Sequence, residues 1–410
     1  MAGRPLHALL LPPAAGAGRL LDALAAALDG TGPAILPLDP RLPPARVTDL
    51  LHAFSPTAVE TPEGAERWRP TTAVATPAGS GAGLPDEVAV VIATSGSTGE
   101  PKGVQLSAAA LVHSARASLS RLGARPGERW LCPLPTSHIA GLGVLVRSLV
   151  AGTTPVVTGR LDPMELGAPG CAFVSVVPTQ LRRMLDAGTG LAAFRAILAG
   201  GAAVPASLLA QAQAAGATVV TTYGMSETCG GCVYDGVPLD GVQVRTGADG
   251  QIRIGGPVVF SGYRNRPDLT AAALEGGWFV ASDVGRLGAD GRLIVRGRAD
   301  EMINTGGEKV APAEVTAILA GCPGVREAAV FGEPDPQWGE RVTAAVVPID
   351  PAIPPQLAEL RAAVRERMPS YAVPKALMLV PELPLLPSGK PDLAALRALG
   401  HEFFSDGRAR

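Results

Sequence analysis

The chain has 410 residues, of which 47% are hydrophobic and 18% are charged, and its formal net charge at pH 7 is −2. This length exceeds that of most single domains, so two domains are expected, and the lack of a basic excess argues against a nucleic-acid partner. Five cysteines, an odd number in a long chain, favour the reducing cytoplasm over a disulfide framework.

The apolar segments do not predict membrane insertion or secretion. The best candidate span, 139–157, is interrupted by Arg147, and no other uncharged run reaches the roughly 20 residues that a membrane helix needs. The apolar run near the N-terminus is short and broken by prolines, so it does not match a signal peptide. Cys229 and Cys232 form a lone Cys-x-x-Cys, which favours packing thiols over a metal or redox pair.

Short apolar runs alternate with Ala- and Leu-rich stretches along most of the chain, as is typical of an α/β protein. Leucines at helical spacing predict a helix over 19–28, and a second helix is predicted over 107–122. Buried strands are predicted at 88–93, 171–177, 196–199 and 219–222. Three of them, the second excepted, run into glycine-rich segments. We therefore expect one cleft at the carboxyl ends of a sheet.

The pattern changes after residue 298. Residues 301–397 predict a small α+β unit with a helix at 312–319, strands at 328–331 and 342–347, and a helix at 356–367. The segment 71–85 is rich in glycine, proline and alanine, which predicts a surface loop.

The segment with the clearest chemistry is 94–104, Thr-Ser-Gly-Ser-Thr-Gly-Glu-Pro-Lys-Gly-Val, directly after the strand at 88–93. Glycines let the backbone approach an anion, hydroxyls donate to phosphate oxygens, and Lys102 supplies positive charge. It is not a Walker A loop, because Lys102 is followed by glycine. A flexible Gly/Ser linker is disfavoured by the fixed Pro-Lys-Gly ending. The predicted phosphate-binding residues are Thr94, Ser95, Gly96, Ser97, Thr98, Gly99 and Lys102.

This loop resembles the phosphate loop of the adenylate-forming superfamily, which includes acyl- and aryl-CoA ligases, adenylation domains of peptide synthetases, and luciferases. Every fixed position of the pattern Thr-Ser-Gly-(Ser/Thr)-Thr-Gly-x-Pro-Lys-Gly is present, and further family motifs follow in order over about residues 88–397. The resemblance implies an α/β fold with a large N-terminal domain of layered mixed sheets and helices, shortened at its N-terminus, and a small mobile α+β C-terminal domain. The expected bounds are 1–297, a hinge at 298–300 with Asp300 as its pivot, and 301–410.

Residues 223–228, Tyr-Gly-Met-Ser-Glu-Thr, resemble the family's Tyr-Gly-x-(Thr/Ser)-Glu motif. The resemblance implies that Tyr223 stacks on adenine, that Ser226 donates to the α-phosphate, and that Glu227 holds Mg²⁺ together with Thr98. These types suit an aromatic purine and a hard cation beside a triphosphate; the alternative for Glu227 is a carboxylate that begins a helix. The other implied nucleotide contacts are Gly200, Gly201, Ala202, Gly224 and Met225. The Gly-Gly-Ala segment alone is also compatible with a simple turn.

Asp283 matches the aspartate that accepts hydrogen bonds from the ribose hydroxyls, although the family's Thr-Gly-Asp is Ala281-Ser282-Asp283 here. Arg298 matches the arginine that also reaches the ribose. Segment 297–314 resembles the family's thioester-forming segment, in which Gly307 takes the place of the glycine that the pantetheine thiol passes. Glu314 is expected to begin a helix and to interact favourably with its dipole.

The segment 383–390 resembles the C-terminal motif whose lysine, here Lys390, is required for adenylation. A carboxylate must attack the α-phosphorus of ATP, so two anions come together, and one unit charge pair at 4 Å in a partly buried site is worth roughly 4 kcal/mol. A cationic amine at that point therefore decides the rate. Lys390 and Gly307 serve different half-reactions, and the family separates them by rotating the C-terminal domain.

The stretch 133–152 resembles the region around the acyl-pocket histidine of the family, and most closely that of o-succinylbenzoate–CoA ligases of menaquinone synthesis. The resemblance makes His138 an acyl or gate contact; a core histidine is an equal alternative. Arg147 faces either a second substrate carboxylate or a structural partner, and we favour the structural partner. The expected cofactors are ATP, Mg²⁺ and coenzyme A.

The function that these motifs imply is a carboxylate–CoA ligase that works through an acyl-adenylate, with 2-succinylbenzoate as the expected acid. Another aryl- or fatty-acyl-CoA ligase, or an enzyme that loads a carrier-protein thiol, is the alternative within the superfamily. From a different class, the chain would be a non-catalytic nucleotide-binding protein on the same fold. A homodimer is compatible with the sequence but not implied by it.

Overall fold

The structure is a computed structural model that describes residues 3–68, 83–95, 100–159, 170–188, 190–386 and 391–405. Its helices are α1 (Ala17–Leu28), α2 (Pro44–Phe54), α3 (Ala108–Arg121), α4 (Ile139–Val150), α5 (Pro178–Asp186), α6 (Ala206–Ala214), α7 (Pro267–Ala273), α8 (Pro312–Leu319), α9 (Leu357–Arg365) and α10 (Leu393–Ser405). Within the described ranges, every helix is too short or too polar to serve as a bilayer span.

The first twelve strands are β1 (Leu6–Leu9), β2 (Ala34–Pro37), β3 (Ala58–Thr61), β4 (Gly64–Arg67), β5 (Val88–Ser95), β6 (Pro101–Ser107), β7 (Arg129–Cys132), β8 (Val156–Val157), β9 (Cys171–Val176), β10 (Ala196–Ala199), β11 (Val219–Met225) and β12 (Gly230–Tyr234). The others are β13 (Val237–Pro238), β14 (Gln243–Thr246), β15 (Gln251–Gly255), β16 (Gly262–Tyr263), β17 (Leu274–Glu275), β18 (Trp278–Leu287), β19 (Leu293–Arg298), β20 (Ile303–Thr305), β21 (Glu308–Val310), β22 (Val325–Asp335), β23 (Gly339–Pro348) and β24 (Ala376–Leu379).

The first sheet has the strand order β16-β6-β5-β2-β1-β3-β4. Strands β3, β1, β2 and β5 pair in parallel, whereas β5 and β6 form an antiparallel pair. The buried parallel strands are nearly continuous apolar runs, as a sheet covered on both faces requires. β6 was not predicted from the sequence, and it places Lys102 on a strand beside β5.

A buried arginine holds the start of this sheet together. Arg4 is 8% exposed, and its guanidinium donates to the carbonyl oxygens of Ala27 (2.6 Å), Gly32 (2.8 Å) and Val88 (3.0 Å). These carbonyls belong to the end of α1, the turn before β2, and the first residue of β5. One side chain therefore satisfies buried acceptors from three separate elements.

Replacing Arg4 with methionine is expected to lower the free energy of unfolding by about 3 kcal/mol, because buried carbonyls lose a charged donor. Differential scanning calorimetry measures the shift as a fall in melting temperature of several degrees. The control is Arg41→Met, which removes an exposed ion pair to Asp39 and is expected to cost less than about 1 kcal/mol. Equal melting temperatures for the two variants would contradict the role given to Arg4.

The second sheet has the order β13-β12-β11-β10-β9-β7-β8. Strands β7 to β11 pair in parallel within it, and β12 joins β11 in antiparallel fashion. Trp130 and Phe173 stack at its centre with ring centroids 4.8 Å apart. Two sequence predictions are corrected here. First, β5 belongs to the first sheet and β10 and β11 to the second, so the three strands that precede glycine-rich segments do not share one sheet. Second, Tyr223-Gly224 lies within β11, because pairing with β12 extends that strand.

Two smaller sheets follow. β14, β15, β18, β17 and β19 form the third, and β20 to β24 form the fourth. The predicted helix at 312–319 is confirmed as α8 with the same bounds, and the helices predicted at 19–28, 107–122 and 356–367 correspond to α1, α3 and α9. The predicted strands at 328–331 and 342–347 lie inside β22 and β23. Most of the loop predicted over 71–85 lies outside the described residues.

The third and fourth sheets meet at the 3₁₀ turn Ala299–Glu301. Across this turn Arg296 on β19 pairs with Glu314 in the first turn of α8, with Nε and Oε1 2.7 Å apart. Ser207 on α6 also donates to the carbonyl oxygen of Ala320 at 2.9 Å. These contacts hold α8 against the preceding part of the chain, and the position of Glu314 agrees with its prediction as a helix-start residue.

Candidate active site

Three of the predicted ribose and adenine contacts lie side by side. The β18–β19 pairing sets Asp283 directly opposite Arg298, and the Tyr223 hydroxyl donates to Asp283 Oδ2 at 2.9 Å. Burial raises the pKa of Tyr223, and the charge of Asp283 raises it further. The phenol therefore stays protonated and holds the carboxylate in place.

Arg298 is fixed by the predicted hinge residue. Its Nε and Nη2 donate to the two carboxylate oxygens of Asp300 at 2.8 and 2.7 Å. Burial alone would raise the pKa of Asp300, but the Arg298 hydrogen bond and charge outweigh it, so the net pKa is lowered. The Lys102 charge acts in the same direction. This two-point pairing fixes the orientation of the guanidinium plane.

The phosphate-binding strand pair brings Thr94 opposite Lys102, and the Thr94 hydroxyl donates to the Lys102 carbonyl oxygen at 3.3 Å. The Lys102 Nζ lies 5.5 Å from the ring centroid of Tyr263. The Tyr263 hydroxyl in turn donates to Glu227 Oε1 at 2.7 Å. The predicted phosphate lysine thus lies near the ring of Tyr263, and the predicted metal carboxylate accepts from its hydroxyl. Tyr263 itself was not predicted as a site residue from the sequence.

Part of the predicted phosphate site falls outside the described residues. Gly96, Ser97, Thr98 and Gly99 lie there, and so does Lys390. Ser95 is the last residue of β5, and only its backbone is described.

The glycines of the predicted adenine edge are required by close packing. A Cβ at Gly200 would clash with the Thr222 hydroxyl, and one at Gly224 would clash with the Gly230 carbonyl oxygen. Gly201 has a φ of +80°, which favours glycine. Gly201 and Ala202 are exposed, whereas Ser226, which begins a 3₁₀ turn after Met225, is buried. The Gly-Gly-Ala segment is therefore an exposed turn at the carboxyl end of β10.

Glu227 is the candidate cation ligand, and its surroundings suit Mg²⁺. It is half-buried, and the Tyr263 hydroxyl donates to one of its two carboxylate oxygens, Oε1. Mg²⁺ is commonly held by one or two carboxylates together with substrate phosphates. In the described part of the chain no group of three or more His, Cys, Asp or Glu side chains forms a metal cage. A single carboxylate that is linked through Tyr263 to Lys102 fits a cation that arrives with ATP.

His138 stands at the N-cap of α4 and is half-buried. The next residue, Ile139, approaches Gly230 at the start of β12, where an added Cβ would lie 3.6 Å from Ile139 Cγ1. The beginning of α4 therefore borders the strand that pairs with Tyr223-Gly224. This position is compatible with the predicted contact to the acid.

Arg147 has structural partners, but among the described residues none of them is a carboxylate. Its guanidinium lies over the Trp130 ring at 4.3 Å, and Nη2 donates to the Ser175 hydroxyl at 3.1 Å. Nε is buried without a hydrogen-bond partner, and burial lowers the pKa of the group. None of the ion pairs among the described residues includes Arg147. Arg147 is thus a half-buried cation on α4 whose charge no described carboxylate compensates.

Gly307 lies at the exposed tip of the β20–β21 hairpin with a φ of +85°. An added Cβ would meet no atom of the described segments within 4 Å. In this arrangement the described residues form no tunnel wall around Gly307, and the positive φ is the local reason for a glycine.

Comparisons with known proteins agree with this architecture. Residues 56–264 match the model of the AMP-binding enzyme family, and residues 314–390 match that of the AMP-binding enzyme C-terminal domain. A probable 2-succinylbenzoate–CoA ligase of Mycobacterium tuberculosis is 44% identical over 407 residues, covering 95% of this chain and 97% of that protein. A feruloyl-CoA synthase of Amycolatopsis is 36% identical, covering 74% and 68%.

Among solved structures, o-succinylbenzoate CoA synthetase from Bacillus subtilis in complex with its acyl-adenylate intermediate superposes with a TM-score of 0.78. The two chains are 27% identical, and the match covers 95% of this chain and 87% of the other. The family motifs, the layered sheets and these matches agree. The chain belongs to the AMP-binding enzyme family and is an adenylate-forming acid–thiol ligase that uses ATP, Mg²⁺ and coenzyme A.

Proposed function

We propose that this ligase converts 2-succinylbenzoate, ATP and CoA to 2-succinylbenzoyl-CoA, AMP and pyrophosphate. In the first step a substrate carboxylate oxygen attacks the α-phosphorus of ATP, and pyrophosphate leaves. In the second step the CoA thiol attacks the acyl carbonyl, and AMP leaves. The names of the similar proteins from M. tuberculosis and B. subtilis support this choice of acid.

The adenosine end of ATP is assigned to β11, β18 and β19. The Tyr223 ring stacks on adenine, and Asp283 and Arg298 hold the ribose hydroxyls, both oriented by the contacts described above. Gly200, Gly201 and Ala202 line the adenine edge.

The triphosphate is assigned to the loop 94–99, Lys102, Ser226 and Glu227. Glu227 and Thr98 would hold Mg²⁺, which when bound would supply positive charge beside the phosphates. Lys102 lies on β6 next to the loop, so its ammonium adds positive charge where the β- and γ-phosphates collect. No general base is needed, because the acid is already ionised at neutral pH.

We assign the N-terminal domain to residues 1–297, the hinge to 298–300 and the C-terminal domain to 301–410. The change of sheet at Ala299–Glu301 supports this division. Lys390 neutralises the carboxylate and α-phosphate in the first step. Rotation about Asp300 then removes it and brings Gly307 to the site for the second.

The observation that carries the choice of acid is Arg147. Its guanidinium has an aromatic face and one hydroxyl as partners, and no described carboxylate pairs with it. 2-Succinylbenzoate has two carboxylates, one of which reacts. We assign the second to Arg147, since a planar guanidinium binds a carboxylate in bidentate fashion, and we assign the reacting end to the region of His138.

A panel of carboxylic acids tests this proposal by AMP release in the presence of CoA. We expect 2-succinylbenzoate to give the highest kcat/KM, and benzoate and ferulate, which carry one carboxylate, to be poorer by about 10²-fold or more. Equal or higher kcat/KM with ferulate would favour the aryl-CoA ligase alternative. Competition between CoA and a holo-carrier protein distinguishes a CoA ligase from an enzyme that loads a carrier protein. A lack of acid-dependent pyrophosphate exchange would indicate a non-catalytic protein.

The cytoplasm is the proposed location, because all five cysteines are unpaired thiols and a reducing compartment preserves them. A homodimer is a separate expectation, and light scattering after size-exclusion chromatography measures it.

A further inference from the structure

Tyr263 joins the two charged groups of the phosphate site. Its hydroxyl donates to Glu227 Oε1 at 2.7 Å, and its ring lies 5.5 Å from the Lys102 ammonium. Lys102 belongs to the first sheet, whereas Glu227 follows a strand of the second. Tyr263 thus links a lysine of the first sheet to a carboxylate that follows the second sheet.

Contacts of both its backbone and its ring hold Tyr263 in place. β16 pairs with β6 so that Tyr263 faces Val104, and the Tyr263 N–H donates to the Thr270 hydroxyl at 2.8 Å. The ring makes an edge contact with Phe260 at 4.8 Å, and the residue is 7% exposed. The Tyr263 hydroxyl therefore has a restricted position, and so does the Glu227 carboxylate that it bonds.

The region of Glu227 is tied to the same segment. The Phe260 N–H donates to the Glu227 carbonyl oxygen at 2.9 Å, three residues before Tyr263. The hydrogen bond from the Tyr263 hydroxyl to Oε1 and this backbone contact together limit rotation of the Glu227 carboxylate.

We propose that Tyr263 is a positioning residue for both charges: its hydroxyl orients the Glu227 carboxylate for the divalent cation, and its ring face orients the Lys102 ammonium for the triphosphate. This inference rests on the proposed role of Glu227. Partners that hold a ligating carboxylate typically contribute a factor of 10–100 to metal affinity. Cations within about 6 Å of an aromatic centroid are attracted to its face.

Two substitutions separate the two roles. Tyr263→Phe removes the hydroxyl but keeps the ring, so we expect Mn²⁺ to bind the enzyme–ATP complex about 10- to 100-fold more weakly, with metal-free ATP binding unchanged. Tyr263→Leu removes the ring as well, so metal-free ATP binding is expected to weaken too. Electron paramagnetic resonance measures bound Mn²⁺ without acid or CoA, and calorimetry measures ATP binding in EDTA.

The matched control is Tyr234→Phe, which removes a buried hydroxyl that bonds Ser118 at 2.7 Å away from the phosphate site. It is expected to leave both affinities at the wild-type values. Glu227→Gln provides the reference loss. If Glu227→Gln weakens Mn²⁺ binding and Tyr263→Phe does not, the positioning role is wrong. If Glu227→Gln binds Mn²⁺ as wild type does, the assignment of the metal to Glu227 fails and the inference falls with it, whereas the acid panel decides the ligase reaction independently.

Discussion

Lys390→Ala is expected to lower acid-dependent ATP–pyrophosphate exchange by a factor of about 10²–10³, the usual loss when one electrostatic donor to a transition state is removed. The same variant should convert a supplied acyl-adenylate and CoA to thioester at close to the wild-type rate. The reason is that charge must be neutralised only while the carboxylate approaches the α-phosphate. In the second step a neutral or thiolate sulfur attacks a carbonyl, and AMP departs.

Gly307→Leu is expected to give the opposite result. The Gly307 tip is exposed and its Cβ position meets no neighbour, so the substitution has room in the observed arrangement and adenylation should persist. Thioester formation should fall, because a side chain would obstruct the pantetheine arm once the domain rotates. Since φ is +85°, Gly307→Ala is needed as a control for backbone strain. Equal losses in both steps for both the lysine and the leucine variants would contradict the two-conformation scheme.

Arg147→Met is expected to lower kcat/KM for 2-succinylbenzoate by about 10²–10³, which corresponds to losing one partner of a hydrogen-bonded charge pair. A monocarboxylic aryl acid should be affected much less, because it lacks the group that the guanidinium binds. Unfolding of the free enzyme should change by no more than about 1 kcal/mol, since methionine replaces a cation that has no described carboxylate to offset its desolvation. Steady-state kinetics and calorimetry measure the two effects.

Arg195→Met is the matched control for Arg147. Arg195 also approaches a ring of the second sheet, Phe173, at 5.9 Å, but Glu128 pairs with it at 2.6 Å. Its loss should affect stability and not the choice of acid. If Arg147→Met instead destabilised the protein strongly and left the preference for the diacid intact, the structural interpretation of Arg147 would be correct.

Local signals in the sequence predicted much of the fold. The helix at 312–319 has its observed bounds because Pro312 occupies the first helical position and Gly321 follows the end. Ser107 caps α3 by accepting from the Ala110 N–H at 3.1 Å, which is likewise a short-range signal. The nucleotide-binding motifs could also be predicted from the sequence, because each is a contiguous segment.

Non-local contacts account for what was missed. β6 and the extension of β11 exist because a partner strand pairs with them, and propensity within the segment does not reveal that. Tyr263 belongs to none of the segments that the sequence analysis singled out, and it meets Glu227 across 36 residues of sequence. The lack of a carboxylate for Arg147 is also a tertiary fact, because the sequence shows only that an arginine interrupts an apolar helix.

The central claim is that the acid is activated as an adenylate before the thiol takes part. Rapid quenching of the enzyme with 2-succinylbenzoate and ATP labelled at the α-phosphorus, without CoA, tests it most directly. We predict an acid-dependent burst of about one acyl-adenylate per active site, followed by complete conversion to thioester and labelled AMP on addition of CoA. Release of labelled AMP only after CoA is present, with no adenylate formed beforehand, would contradict the claim.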